Sequence, residues 1–226
     1  MTEIHSDTNT LIWDLDGTML DSLGVLEDAL SEVLPSYNRQ LPSHEVMLAN
    51  FHGSLEDSID HSLGGLEPTE LAAIVRDFLV VQDNYYDVIE KHLFPDATSL
   101  AKRAHDAGYK QILVTNRAHE GRLKASPRSI VANSELRDYI DVVICGDDSE
   151  HRKPKPAVLG ALVSLIVPSE VLVVGDQFVD AEFAKNLGSA AVLVNRNGHQ
   201  PMHMERLGED WCDFTQIVAS LDEVRL

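Results

Sequence analysis

Two aspartates separated by one residue, in Asp14-Leu15-Asp16-Gly17-Thr18, directly follow the apolar run Leu11 to Trp13. On a backbone that stays extended, alternate side chains share a face, so both carboxylates would project together. Like charges placed this way repel, and the pair needs a cation or a shared proton. In an open parallel sheet, ligands collect outside the carboxyl ends of the strands, which is where such a pair would do chemistry. The same five residues also suit an Asp-Gly turn with side-chain caps, and the segment alone leaves that reading open.

The elements needed to position this pair can be read from hydrophobic pattern. Short aliphatic runs at Leu11 to Trp13, Ile112 to Val114, Val142 to Ile144, Val171 to Val174 and Ala191 to Val194 read as buried strands of a parallel sheet. Helix-like stretches lie between them at Leu100 to Ala107, Pro156 to Ile166 and Ala181 to Leu187. Alternating strands and helices predict an α/β fold, a doubly wound parallel-sheet core of Rossmann type. From Ser22 to about His92 the alternation stops. That stretch carries amphipathic helical patterns at Val25 to Leu34, Leu55 to Leu63 and Glu70 to Ile89, punctuated by Pro42, Gly64-Gly65 and Pro68. It reads as an all-helical insert after the first strand, with Phe94-Pro95 marking return to the core. The expected division is a core of residues 1–20 and 93–226 and a helical cap of residues 21–92.

The run Asp14-Leu15-Asp16-Gly17-Thr18-Met19-Leu20-Asp21-Ser22 resembles the first motif of the haloacid dehalogenase-like hydrolase superfamily. Three further motifs of that family can be matched at strand ends. Thr115 closes Ile112 to Val114 and is followed by Asn116 and Arg117; Lys153 stands in Arg152-Lys153-Pro154-Lys155-Pro156, similar to the family's Lys-Pro-x-Pro pattern; and Val174-Gly175-Asp176-Gln177-Phe178-Val179-Asp180 supplies two more acids. The usual Asp after the second Pro is Ala157 here, a departure expected to affect helix capping. Taken singly, Thr115 reads as a helix cap and Asp176 or Asp180 as a loop cap. Their order at successive strand ends is what carries the match.

The resemblance implies a phosphatase in which Asp14 is the covalent nucleophile and Asp16 the acid/base partner. It further implies Mg²⁺ as cofactor, held by Asp14, Asp176 and the Asp16 main-chain carbonyl, with Asp180 a ligand or an orienting group. Thr115 and Lys153 would grip phosphate oxygens, and Leu15, Thr18 and Asn116 would line the phosphate site. The branch resembled is that of phosphoglycolate phosphatase and β-phosphoglucomutase, whose helical cap closes over the site and selects the substrate. Phe51-His52-Gly53-Ser54-Leu55 is similar to the mutase cap loop but has Leu55 where the mutases place an Arg suited to a second phosphate. A phosphatase acting on a small phosphorylated metabolite is therefore expected, with a sugar phosphomutase as the alternative and a non-catalytic binding protein as the reading from another class. His52 and Gly53 become candidate substrate contacts. Arg117, Arg122 and Lys124 could steer an anion or simply form a solvated helix face that Pro127 would stop.

Composition bounds the remaining options. The 18 Lys and Arg against 37 Asp and Glu give a formal net charge of -19, which argues against nucleic acid or anionic lipid as a partner. Hydrophobic residues at 44% suit a globular domain, and the longest apolar run, Val158 to Val167, is too short to span a bilayer. Only Cys145 and Cys212 are present, so neither a disulfide framework nor a thiolate metal site is expected. With no apolar stretch in Met1 to Thr10, a cytoplasmic protein is the expectation.

Overall fold

The computed structural model describes residues 8–51, 54–119, 124–196 and 211–226, together with Arg206 and Gly208. The chain divides into two compact units, one formed by Met1–Leu20 with Leu93–Leu226 and the other by Asp21–His92.

The first unit is built on a six-stranded sheet: β1 (Thr10–Trp13), β2 (Lys110–Val114), β3 (Val142–Ile144), β4 (Val171–Gly175), β5 (Ala190–Val194) and β6 (Thr215–Val218). Its order is β3-β2-β1-β4-β5-β6, and every adjacent pair is parallel. The expected doubly wound α/β core is thus present. Strand order reverses at β1, which pairs with β2 on one side and β4 on the other, so the crevice where ligands bind in such folds lies beyond the ends of β1 and β4. Burial on both faces explains why the inner strands β1, β2, β4 and β5 are largely continuous apolar runs rather than alternating ones. Leu11, Ile12 and Trp13 are buried, as are all residues of β4. The one polar group of Trp13, its indole N–H, is satisfied by Gln111 Oε1 at 3.0 Å, and Gln111 Nε2 donates in turn to the Ala101 carbonyl at 2.8 Å. Helix α7 (Phe178–Leu187) buries Phe183 and Ala184 against Ile12, Val114, Val171 and Val173. It ends where Gly188 takes φ +81°, the left-handed conformation that closes a helix.

The second unit is all-helical among its described residues: α1 (Ser22–Val33), α2 (His44–Asn50), α3 (Leu55–Ser62) and α4 (Pro68–Tyr85), with 3₁₀ turns at Leu34–Tyr37 and Tyr86–His92. The Asp21 carboxylate caps α1 by accepting from Gly24 N–H at 2.9 Å, and a capping box between Ser54 and Asp57 starts α3. Leu26, Leu30, Met47, Ile59, Ile74 and Phe78 pack into this unit's own core. No helix among the described residues is long and apolar enough to cross a membrane.

The structure departs from the sequence reading in several elements. The helix expected over Pro156 to Ile166 is a 3₁₀ segment, Pro156–Ser164, broken where Gly160 adopts φ +55° and ψ −128°, which no helix accommodates. Pro127 does not stop a helix but opens α6 (Pro127–Ala132), because Ser126 accepts from Ser129 N–H as its cap and proline's missing N–H is harmless at the first turn. Helix α5 (Pro95–Asp106) starts five residues before the periodic stretch, again with proline at its first position. The edge strand β6 and the short α8 (Trp211–Phe214) before it gave no period-2 signal. Trp211 and Phe214 pack beside Ala181 and Leu193.

Candidate active site

The chain leaves β1 with Asp14 still on the ladder, its N–H donating to the Val174 carbonyl at 2.8 Å. The next residues fold into a tight loop in which the Leu15 carbonyl accepts from Met19 and Leu20 N–H, each at 2.9 Å, and Gly17 N–H donates to the Leu20 carbonyl at 2.9 Å. Two constraints make residue 17 a glycine. Its φ is +79°, and an added Cβ would lie 2.3 Å from Asp176 Oδ2. Gly17→Ala is expected to lower stability by about 1–3 kcal/mol and to displace the Asp176 carboxylate. Thermal denaturation with and without Mg²⁺ checks this: the variant should melt earlier and gain less from the ion, and equal gains would contradict it. Thr18, fully buried, gives its hydroxyl to Asp176 Oδ1 at 3.1 Å. Its side chain therefore helps to orient an acid of the cluster. Arg196, which sequence reasoning passed over, braces the same loop: it donates to the Thr18 carbonyl at 2.9 Å, pairs with Asp96 at 2.7 Å and lies 3.8 Å over the Phe94 ring. Its place just after β5 was the only signal.

Lys153 enters from the loop before Pro156–Ser164 with its side chain almost wholly buried, and its ammonium donates to Asp14 Oδ1 and Asp180 Oδ1, both at 2.6 Å. Its backbone is clamped by the Asn116 side chain, which accepts from Lys153 N–H at 3.0 Å and donates to the Lys153 carbonyl at 3.3 Å. The Asn116 amide is thus engaged with the Lys153 backbone on both sides. Asp180 is fully buried in the first turn of α7, with Oδ2 accepting from Gln177 N–H at 3.2 Å. Oxygens of Asp14, Asp176 and Asp180 lie within 4.8 Å of one another.

Burial pushes the Asp14 carboxyl up to about 7; Lys153 pulls it down, while Asp180 and Asp16 raise it further. Asp176 is driven well above the usual carboxylate range by burial first and by Asp14 and Asp180 next. For Lys153, burial favours the neutral amine, but attraction to Asp14 and Asp180 outweighs it and holds the ammonium above its ordinary value. Among the described residues, Asp14, Asp16 and Asp180 pair with two cations, Lys153 and Arg117, and with Asp176 beside them the group keeps two formal negative charges. A divalent cation would balance them, and an all-oxygen donor set suits a hard ion such as Mg²⁺.

Asp16 is held by Arg117, whose Nε donates to Oδ2 at 3.0 Å and whose NH2 engages Oδ1. The Arg117 side chain is only 10% exposed. It does not belong to a solvated helix face, since residues 116–119 are irregular backbone. Thr115, buried at the end of β2, donates its N–H to the Ile144 carbonyl at 3.1 Å, and its hydroxyl accepts from Arg117 N–H at 3.1 Å. Lys124 is exposed, whereas His52, Gly53 and Arg122 lie outside the described residues. A second acidic group, Cys145 with Asp147 and Asp148, is already committed: Asp148 takes the Cys145 N–H and pairs with Arg128, and burial pushes the Cys145 thiol up to about 11.

Comparison with known proteins finds relatives in sequence and in fold. The Pyrophosphatase PpaX proteins of Bacillus thuringiensis (strain Al Hakam) and Bacillus cereus (strain G9842) are each 28% identical to the chain over 194 residues, covering 83% of both partners. A predicted phosphoglycolate phosphatase from Haemophilus somnus 129PT shares the fold with a TM-score of 0.73 at 18% identity, over 96% of each chain. CbbY from Rhodobacter sphaeroides in complex with phosphate does so with a TM-score of 0.64 at 20% identity, also over 96% of each. The model of the haloacid dehalogenase-like hydrolases matches residues 8–188, a span that takes in every acid of the cluster and Lys153. The chain belongs to the haloacid dehalogenase-like hydrolase family.

Proposed function

We propose that the protein is a Mg²⁺-dependent phosphatase that hydrolyses a small phosphate monoester through an aspartyl-phosphate at Asp14. The observation that carries this reading is the Asp14 carboxylate at the strand-order reversal, with one oxygen held by Lys153 and with Asp176 and Asp180 close by. Asp14 attacks phosphorus as the ester oxygen departs, and Asp16 delivers the proton that oxygen needs. In the second step Asp16 takes a proton from water, whose oxygen bonds to phosphorus while the Asp14–phosphorus bond breaks, freeing inorganic phosphate and restoring the carboxylate. Lys153 and the Thr115 hydroxyl bind the non-bridging oxygens, with the Leu15 and Asn116 main chain beside them. Asp14, Asp176 and the Asp16 carbonyl would hold Mg²⁺, which would supply positive charge to offset that of the carboxylates and the phosphoryl group. Asp180 fixes Lys153 and the start of α7.

The helical unit Asp21–His92 is assigned to substrate selection, and the reaction to the cytoplasm. Support for phosphate-ester chemistry comes also from the names of the relatives, among which pyrophosphatase adds a phosphoanhydride to the substrates worth testing.

The test is phosphate release from phosphoglycolate, glycerol 3-phosphate, glucose 6-phosphate, p-nitrophenyl phosphate and pyrophosphate, with Mg²⁺ and with excess chelator. Metal-dependent release from at least one alkyl ester is expected. Release from none, or isomerisation of glucose 1-phosphate in its place, would refute the reading.

A further inference from the structure

Arg117 is fixed from several sides before it reaches Asp16. Its N–H donates to the Thr115 hydroxyl at 3.1 Å, its carbonyl accepts from Gly146 N–H at 2.9 Å, and its NH1 donates to the Ala125 carbonyl at 3.1 Å. The other edge of the guanidinium, Nε and NH2, takes both oxygens of Asp16. A planar fork against a planar carboxylate fixes orientation as well as distance, which a point charge cannot do. The Asp16 side chain, at 27% exposure, is less enclosed than that of Asp14 at 11%, so packing restrains it less and the fork correspondingly more.

We infer that Arg117 is a positioning residue for Asp16, holding its carboxyl in the orientation from which it serves the leaving oxygen and tying that orientation to the Thr115 hydroxyl. This rests on the phosphatase reading above. A general acid works only within hydrogen-bond reach of the atom it protonates. Loss of the fork therefore slows release of a leaving group that must depart as an alcohol and spares one that is stable as an anion. A residue that merely supported the fold would affect both alike.

The experiment measures single-turnover leaving-group release from p-nitrophenyl phosphate, whose phenolate needs no proton, and from the alkyl ester hydrolysed fastest in the panel. Arg117→Met is expected to slow the alkyl ester by roughly 100-fold while p-nitrophenolate release changes by less than about threefold. Arg117→Lys, retaining charge but not the fork, should fall between, and it carries the same comparison should Arg117→Met fail to fold. Adding Arg117→Met to Asp16→Asn should cause no further loss on the alkyl ester. Equal losses on both esters, or additive losses in the double variant, would overturn the inference while leaving the phosphatase reading intact. A wild-type enzyme inactive on every alkyl ester would overturn both.

Discussion

Asp14→Asn is expected to lower turnover by on the order of 10⁴-fold or more, because in the proposed mechanism an amide oxygen cannot form the aspartyl-phosphate. The same change should leave the metal-free protein at least as stable as wild type at pH 8, and this combination separates loss of chemistry from loss of fold. The wild-type carboxyl is held at about 7 by burial, against a usual value of 3.8. A carboxyl raised in the folded state binds its proton more tightly there than in the unfolded chain, so folding loses stability as pH rises between the two values. The penalty is absent below about pH 4, grows upward from there, and is complete above about pH 7. Asparagine carries no such penalty. In chelator, the melting temperature of Asp14→Asn relative to wild type should therefore be highest above pH 7 and decline towards pH 4. Bound Mg²⁺ should erase the difference by stabilising the wild type. Turnover retained in the variant would defeat the assignment of nucleophile, and a pH-independent difference in chelator would defeat the electrostatic account of the cluster.

How far sequence alone led depends on what kind of signal each feature left. The four inner strands, β1, β2, β4 and β5, are buried on both faces over most of their length, so their sequences are apolar runs that hardly admit another reading, and the aliphatic run of the edge strand β3 was legible as well. The acids of the cluster stand directly after such strands, at Asp14 and Asp176, and were legible for that reason. What escaped was whatever depends on contact between segments distant in sequence. Arg117 is 101 residues from Asp16 and Arg196 is 178 from Thr18, and nothing in local spacing announces either pairing. Thr18 and Asn116 are cases in which the side-chain partner could not be read from residue type or position. Thr18 holds an acid and Asn116 holds a lysine backbone. Residue type limited what each could do, and only the tertiary structure selected among the options. The edge strand β6, four residues long and half-buried at its centre, had neither length nor alternation to distinguish it.

Lys153→Met should be the most destabilising single change at the site. Its side chain is 3% exposed and its ammonium pairs with Asp14 and Asp180, whose side chains are 11% and 0% exposed. Removing one partner of a buried ion pair strands the others in a poor solvent for charge, at a loss of about 3–5 kcal/mol. The wild-type lysine is held above its ordinary value by these two acids. The stability it contributes is therefore fully present at neutral pH and fades only as pH rises through that elevated value, so a comparison at pH 8 captures all of it. Acidification should narrow the gap from the other direction, because protonating Asp14 removes a charge that the methionine variant leaves uncompensated. Mg²⁺ should narrow it too, by supplying positive charge to the same oxygens, without restoring turnover, since no ammonium remains to bind the phosphoryl group. Chemical denaturation at pH 8 and pH 5, with chelator and with Mg²⁺, gives the four values needed. A deficit of similar size in all four would mean that Lys153 stabilises by packing its hydrocarbon stem, and that the charge balance inferred for the cluster is wrong.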